Sequence, residues 1–168
     1  TMTSNNLTAN DVERIICHVP KLVDISLIYD NPKTTQQGQF SMQFTLACML
    51  AKRKFSISEL TQETLDEAVI RDEMAKITVL RDADLTKRAT EGQVGPECAQ
   101  IEIITKDGRY LKTFNSVAIG APTKPMSDDA LDAKFHSLAG HAGLGNKADT
   151  LLERLHNIEN IESVRRLF

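Results

Sequence analysis

Four histidines, three cysteines and one polar loop carry most of the chemistry open to this chain. His18, His136, His141 and His156 form no HExxH pair and no His/Cys cluster at ligand spacing, so no metal centre is expected. His136 and His141 fall on either side of a helix end, too far round for two ligands on one face, and read as surface or capping groups. Cys17, Cys48 and Cys98 lie far apart with no CxxC spacing, which reads as reduced, buried thiols in a cytosolic protein. No serine sits in GxSxG. Gly92-x-x-Gly95 and Gly140-x-x-Gly143-x-Gly145 match neither Walker A nor GxGxxG and read as flexible loops. Asp66-Glu67 and Asp72-Glu73 fall on what reads as a solvated helix face, where burial does not tune a carboxylate for acid/base work. Motifs therefore assign no catalytic residue, no metal and no cofactor.

The polar loop is Asp30-Asn31-Pro32-Lys33-Thr34-Thr35-Gln36-Gln37-Gly38, and it runs into an apolar stretch over 40–51. A helix apolar on every side is the buried element of its domain, so 40–51 is expected to be the central core helix. The loop brings polar groups onto that helix's N-terminus, whose unpaired N–H groups and partial positive charge suit a carboxylate or phosphate. Two roles stay open for Gln39, Ser41 and Gln43. They are helix entry, with Ser41 satisfying a first-turn N–H, or the lining of a cleft. For Phe44 a core position and a cleft position stay open in the same way.

The elements that must hold this edge follow from periodicity. Residues 11–19 read as a strand, with Ile15, Cys17 and Val19 on one face and Ile16 and His18 on the other. After Pro20, 22–29 reads as a second extended apolar run. Lys52-Arg53-Lys54 place positive charge at the C-terminal carbonyls of the core helix. Residues 63–75 read as one helix that buries Leu65, Val69, Ile70 and Met74. A short strand over 77–80 follows, and 81–97, with Gly92, Gly95 and Pro96, reads as an exposed loop. Residues 99–105 and 110–117 flank Lys106-Asp107-Gly108-Arg109, which predicts a β-hairpin with Asp-Gly as its type I′ turn. A proline-bounded linker over 121–126 leads to a helix capped by Ser127, with Asp128 and Asp129 in its first turn. Leu131, Phe135 and Leu138 are its buried stripe and Gly140 its end. Asn146, with Asp149 after it, opens a last helix with Ala148, Leu151, Leu152, Leu155 and Ile158 on one face. Central and terminal helices around a hairpin argue for an α+β fold. The expected form is a two-layer sandwich, an antiparallel-rich sheet with helices packed on one face, as a single domain over 1–168.

Bulk properties exclude whole classes of partner. The formal net charge is -3, and the scattered Lys and Arg form no nucleic-acid footprint. Two Tyr and no Trp leave little to stack bases on. The longest apolar stretch is about a dozen residues, short of a bilayer span. No signal-peptide core follows the N-terminus, so a cytoplasmic protein is expected. Thr1 ahead of Met2 reads as an expression remnant, and the chain as a fragment of a longer one or a free-standing domain.

Several patches in order carry a family resemblance. They are Leu7-Thr8-Ala9-Asn10-Asp11-Val12-Glu13-Arg14-Ile15, Asn31-Pro32-Lys33-Thr34, Gly38-Gln39-Phe40-Ser41-Met42-Gln43-Phe44, Asp107-Gly108-Arg109, and the stretch from Lys124 through Pro125 and Met126 to Phe135. Together they resemble the C-terminal domain of the MmgE/PrpD family, which includes 2-methylcitrate dehydratases, cis-aconitate decarboxylases and iminodisuccinate epimerases. The resemblance implies the small domain of a lyase or isomerase acting on di- or tricarboxylic acids. It would complete a cleft made by a large N-terminal helical domain that supplies most of the catalytic His, Asp and Lys. Family members are usually more than twice this length, and their Lys-Pro-Tyr-Pro-type segment, expected before Leu7, is not among residues 1–6. Where many members have Gly-Lys-Phe-Ser this chain has Gln39, and where many have Tyr on the core helix it has Phe44. On this resemblance Lys33, Gln39, Ser41, Gln43 and Phe44 are the candidate substrate-cleft residues, and the chain alone is expected to be inactive. Its expected partners are a second copy, most simply in a symmetric dimer, or a separate helical-domain subunit, with a small carboxylic acid as ligand. The alternative is a non-catalytic binding or interaction module derived from the same family.

Overall fold

A computed structural model describes residues 2–166; Thr1, read above as an expression remnant, lies outside them. In chain order the strands and helices are β1 (Val12–Val19), α1 (Lys21–Ser26), α2 (Thr35–Gly38), α3 (Met42–Lys52), α4 (Gln62–Asp66), α5 (Ala68–Ala75), β2 (Ile77–Arg81), α6 (Ala83–Thr90), β3 (Ala99–Thr105), β4 (Tyr110–Asn115), α7 (Asp128–His141) and α8 (Lys147–His156). They fall into two compact units, Thr1–Lys124 and Pro125–Phe168. Among the described residues no helix is long and apolar enough to cross a membrane.

The first unit is the expected α+β sandwich. Its sheet has the order β2-β1-β3-β4, with β1 parallel to β2 and antiparallel to β3, and β3 antiparallel to β4. Ile15, Ile77 and Ile103 lie opposite one another on one face, and a bulge between Val12 and Arg14 shifts the register by one residue and brings Val12 to that face as well. There they meet Phe44, Ala47, Cys48 and Leu50 of α3, Leu65 of α4, and Ile70 and Met74 of α5 in one buried cluster. All three cysteines are free and buried.

Several expectations are corrected. The run over 22–29 contains α1 rather than a strand. Pro20, extended at φ -70 and ψ 164, precedes the first turn, and its carbonyl accepts from the N–H groups of Val23 and Asp24. β1 is paired on both sides, with β2 and β3, so this run cannot pair with the strand it follows, and Leu22 and Ile25 stay exposed. Residues 81–97 are not all loop. Asp82 caps α6 by accepting from the Leu85 N–H at 2.9 Å, Arg88 and Asp84 pair four residues apart at 3.6 Å, and Leu85 alone anchors it in the interior. One buried apolar residue is too little periodicity to read.

The helix expected over 63–75 breaks at Glu67, whose ψ is 128. In an unbroken helix Leu65 and Ile70 would lie roughly 140° apart, at about 100° per residue. The break lets both be fully buried, and it leaves Val69 exposed. Glu73 is buried as well, with Lys76 Nζ 2.8 Å from its carboxylate, so it does not lie on a solvated face. The core helix starts at Met42, because Ser41 is extended (φ -126, ψ 114) as its cap. Phe40 and Met49 are exposed, so α3 is not apolar-buried all round.

The hairpin is present with a different turn. The Gly108 N–H donates to the Thr105 carbonyl and the Thr105 N–H to the Arg109 carbonyl, which leaves a three-residue loop. Gly108 has φ 83 and Asp107 no positive φ, whereas a type I′ turn needs both. Asp107 instead accepts from Thr105 Oγ1 and from Arg109 Nε at 2.9 Å; the Thr105 bond first, then Arg109, lowers its pKa to about 2.

In the second unit Ser127 caps α7 as expected, accepting from the Ala130 N–H at 3.3 Å. Asn146 makes no side-chain cap on α8, since it is already helical at φ -64 and ψ -11. The buried contacts are Ala139 and Ala148, small residues that let α7 and α8 approach closely. Leu131 and Leu138 are exposed rather than a buried stripe.

Candidate functional site

The site is the loop from Asp30 to Gln43 and the helix end it meets. Ser41 Oγ accepts from the Phe44 N–H at 3.1 Å, and Thr45 Oγ1 donates to the Ser41 carbonyl at 3.0 Å. Ser41 is thus a buried N-cap that satisfies one of the orphan donors of α3. The short turn α2 closes the loop upstream. Thr34 Oγ1 accepts from the Gln37 N–H at 3.3 Å, while Gln37 Oε1 accepts from the Lys33 N–H at 2.6 Å. A Cβ on Gly38 would come within 3.2 Å of the Phe44 ring, so glycine is what lets the loop lie directly on the core.

Three groups that the sequence did not assign to this loop, Gln62 and Asp66 of α4 and Arg71 of α5, brace it. Arg71 Nη1 donates to Asn31 Oδ1 at 3.1 Å and to the Pro32 carbonyl at 2.7 Å, and Arg71 Nη2 lies 3.3 Å from Asp66. Gln62 Nε2 donates to the Lys33 carbonyl at 3.1 Å and to Asp66 at 2.9 Å. The bond from Gln62, and then the Arg71 guanidinium, holds the Asp66 carboxyl below its usual range. Gln43 Nε2 donates to Asp30 Oδ1 at 2.8 Å, and its Oε1 is buried without a partner. Asp30, Asn31, Lys33 and Arg71 line a polar cavity of about 320 Å³ with Met74 and Ala75 at its side. No local spacing announces these bonds, because Arg71 reaches back forty positions to Asn31.

The five residues expected to line a cleft therefore divide. Lys33 and Gln39 are exposed on the loop, Ser41 is the helix cap, and Gln43 is buried beneath Asp30. Phe44 is 1% exposed and stands edge-on to Phe55 at 5.7 Å between ring centroids; it occupies the core. The loop thus offers the Lys33 ammonium and the Gln36 and Gln39 amides to solvent, groups that can donate to a carboxylate. The histidines lie elsewhere. His18 is half-buried on the other face of the sheet, 3.4 Å from Glu102 and 3.7 Å from Asp82. His156 and His136 pair with Asp132 and Asp149 between α7 and α8. Among the described residues no three His, Cys, Asp or Glu groups are placed to hold a metal ion.

A family model described as the MmgE/PrpD C-terminal domain matches residues 2–162. A search of curated proteins gives no match to the chain.

Proposed function

Because the chain belongs to the MmgE/PrpD family, as its C-terminal domain, we propose that it forms one wall of a cleft in which a di- or tricarboxylic acid undergoes lyase or isomerase chemistry. The facing wall, with the acid/base groups, comes from a helical domain on a longer chain or a separate subunit. The observation that supports this reading is the braced loop, in which Lys33 is exposed with its backbone tied to Gln37 and Gln62 and Gln39 is exposed two residues before the cap of α3. An exposed ammonium there contributes charge toward a carboxylate without having to move a proton. Removing hydrogen next to a carboxylate needs a positioned base and a cationic clamp acting together, and this wall supplies only part of the clamp.

The test is an NMR assay of 2-methylcitrate, cis-aconitate and iminodisuccinate with the purified chain, alone and mixed with a family helical domain. The chain alone is expected to give no turnover and the mixture to give turnover that falls when Lys33→Ala is introduced. Turnover by the chain alone would refute the division of labour. A mixture that binds yet stays inactive would favour the second reading, a non-catalytic module. The presence of Gln39 and of the core-bound Phe44 supports that second reading.

We place the protein in the cytoplasm on its three reduced thiols, and expect self-association through exposed apolar residues such as Leu22, Ile25 and Ile28. A sedimentation experiment showing a strict monomer at high micromolar concentration would count against the dimer.

A further inference from the structure

The C-terminal end of α3 carries three cations in a row, and two of them are neutralised. Lys52 Nζ lies 2.6 Å from Glu67 and Lys54 Nζ 2.7 Å from the buried Glu59. Arg53 between them has a bond to a carbonyl, that of Leu7, and pairs with no carboxylate among the described residues. Its backbone is left-handed at φ 61, in the helix-ending position that glycine ordinarily fills. An arginine is thus kept where the backbone favours a residue with no side chain.

Arg53 lines a cavity of about 330 Å³ between α3 and the inner face of the sheet, walled by Ile15, Leu46, Met49, Ile101 and Ile103. Eleven helical residues separate it from the Ser41 cap, about 18 Å along the axis at 1.5 Å per residue, so it is not part of the loop site. Apolar walls of this volume with a few polar groups, here Arg53, Thr3 and Thr113, are the ordinary form of a small-ligand pocket. A guanidinium with donors to spare is a fork for a carboxylate.

We propose that this cavity binds a small amphipathic monocarboxylate, its apolar tail against Ile15, Leu46, Ile101 and Ile103 and its carboxylate on Arg53. A neutral apolar occupant would leave the free donors of the exposed Arg53 guanidinium to water, and would gain nothing from them. A di- or tricarboxylate would press a second charge against isoleucine, which is costly without a partner. The site therefore takes a ligand of different chemistry from the substrates of the loop.

The test is a methyl-detected NMR titration of the whole chain with octanoate, set beside octanol and succinate. Octanoate is expected to give saturable shifts at the Ile15, Leu46, Ile101 and Ile103 methyls, octanol to bind more weakly, and succinate to leave those methyls unmoved. Arg53→Gln should weaken octanoate binding about tenfold and leave octanol binding unchanged. Should Arg53→Gln fail to fold, Ile101→Phe decides the matter by filling the cavity from a half-buried position, and it should abolish the octanoate shifts. Octanoate binding undiminished in either folded variant, octanol binding as tightly as octanoate, or shifts confined to other methyls would overturn the proposal. So would methyl shifts that follow protein concentration with no ligand added, which would put a second copy in the cavity.

Discussion

Replacing Phe44 separates a core role from a cleft role. The ring is 1% exposed, and a Cβ on Gly38 would come within 3.2 Å of it and within 3.5 Å of Leu60. Truncating a buried phenylalanine to alanine costs roughly 3–5 kcal/mol, the spread depending on how far the surroundings collapse. Collapse is limited here, because the facing atoms on the loop side are those of a glycine with no side chain to move in. The edge-on contact with Phe55 adds about 0.5–1.5 kcal/mol to what the ring's area alone contributes. Phe44→Ala is therefore expected to cost ~4 kcal/mol, from about a quarter to most of a net stability of roughly 5–15 kcal/mol. Phe44→Tyr brings a hydroxyl into the same sealed space and should cost about 1–3 kcal/mol if it finds no partner. The assay is urea unfolding followed by far-UV circular dichroism, with Tyr29 and Tyr110, both in the first unit, as a fluorescence probe of the alanine variant. A loss below about 1 kcal/mol for Phe44→Ala, with the urea dependence unchanged, would refute the core assignment and return the ring to the cleft.

Other expectations follow from the bracing groups and the thiols. Arg71→Ala removes two bonds to loop acceptors and should cost about 2 kcal/mol, in the range for hydrogen bonds to charged groups. Its signature is faster amide exchange over residues 31–38 with protection of β1 and β3 retained; unchanged exchange there would refute the bracing. Burial pushes the Cys17 and Cys48 thiols up to about 11, from an ordinary value of 9.0. The folded state thus holds protons that the unfolded state releases, and stability present below pH 9 should decline as pH rises toward 11. Cys48→Ala should flatten part of that decline in unfolding curves taken at pH 8 to 11, and an unaltered slope would count against it. The same burial predicts that the native thiols react with a disulfide reagent only as fast as the chain opens.

What could be read from the sequence was local. The β1 faces, the hairpin, the Ser127 cap and the core helix each rest on neighbours within a few residues, and each is present. The failures share a cause in distance. The break at Glu67 serves the joint burial of Leu65 and Ile70 against a sheet whose strands lie elsewhere in the chain, and no breaker residue marks it. The α6 helix has one apolar anchor, so its evidence is a cap and an ion pair rather than a period. In the candidate site Ser41 could be seen as a cap, because a cap is a local device. Arg71, Gln62 and Asp66 could not be assigned to the loop, because a surface arginine looks the same whether it holds a backbone carbonyl or faces water. This bears on the function as well. The residues whose types suggest substrate contact, Lys33 and Gln39, are exposed; the groups that fix the segment around Lys33 are donated by α4 and α5, while Gln39 is held locally by its bond to the Thr35 carbonyl. A substrate's carboxylate would therefore meet a loop whose conformation is set before binding. That makes Lys33→Ala a test of charge and Arg71→Ala a test of preorganisation, and only the second should also change amide exchange in the free chain.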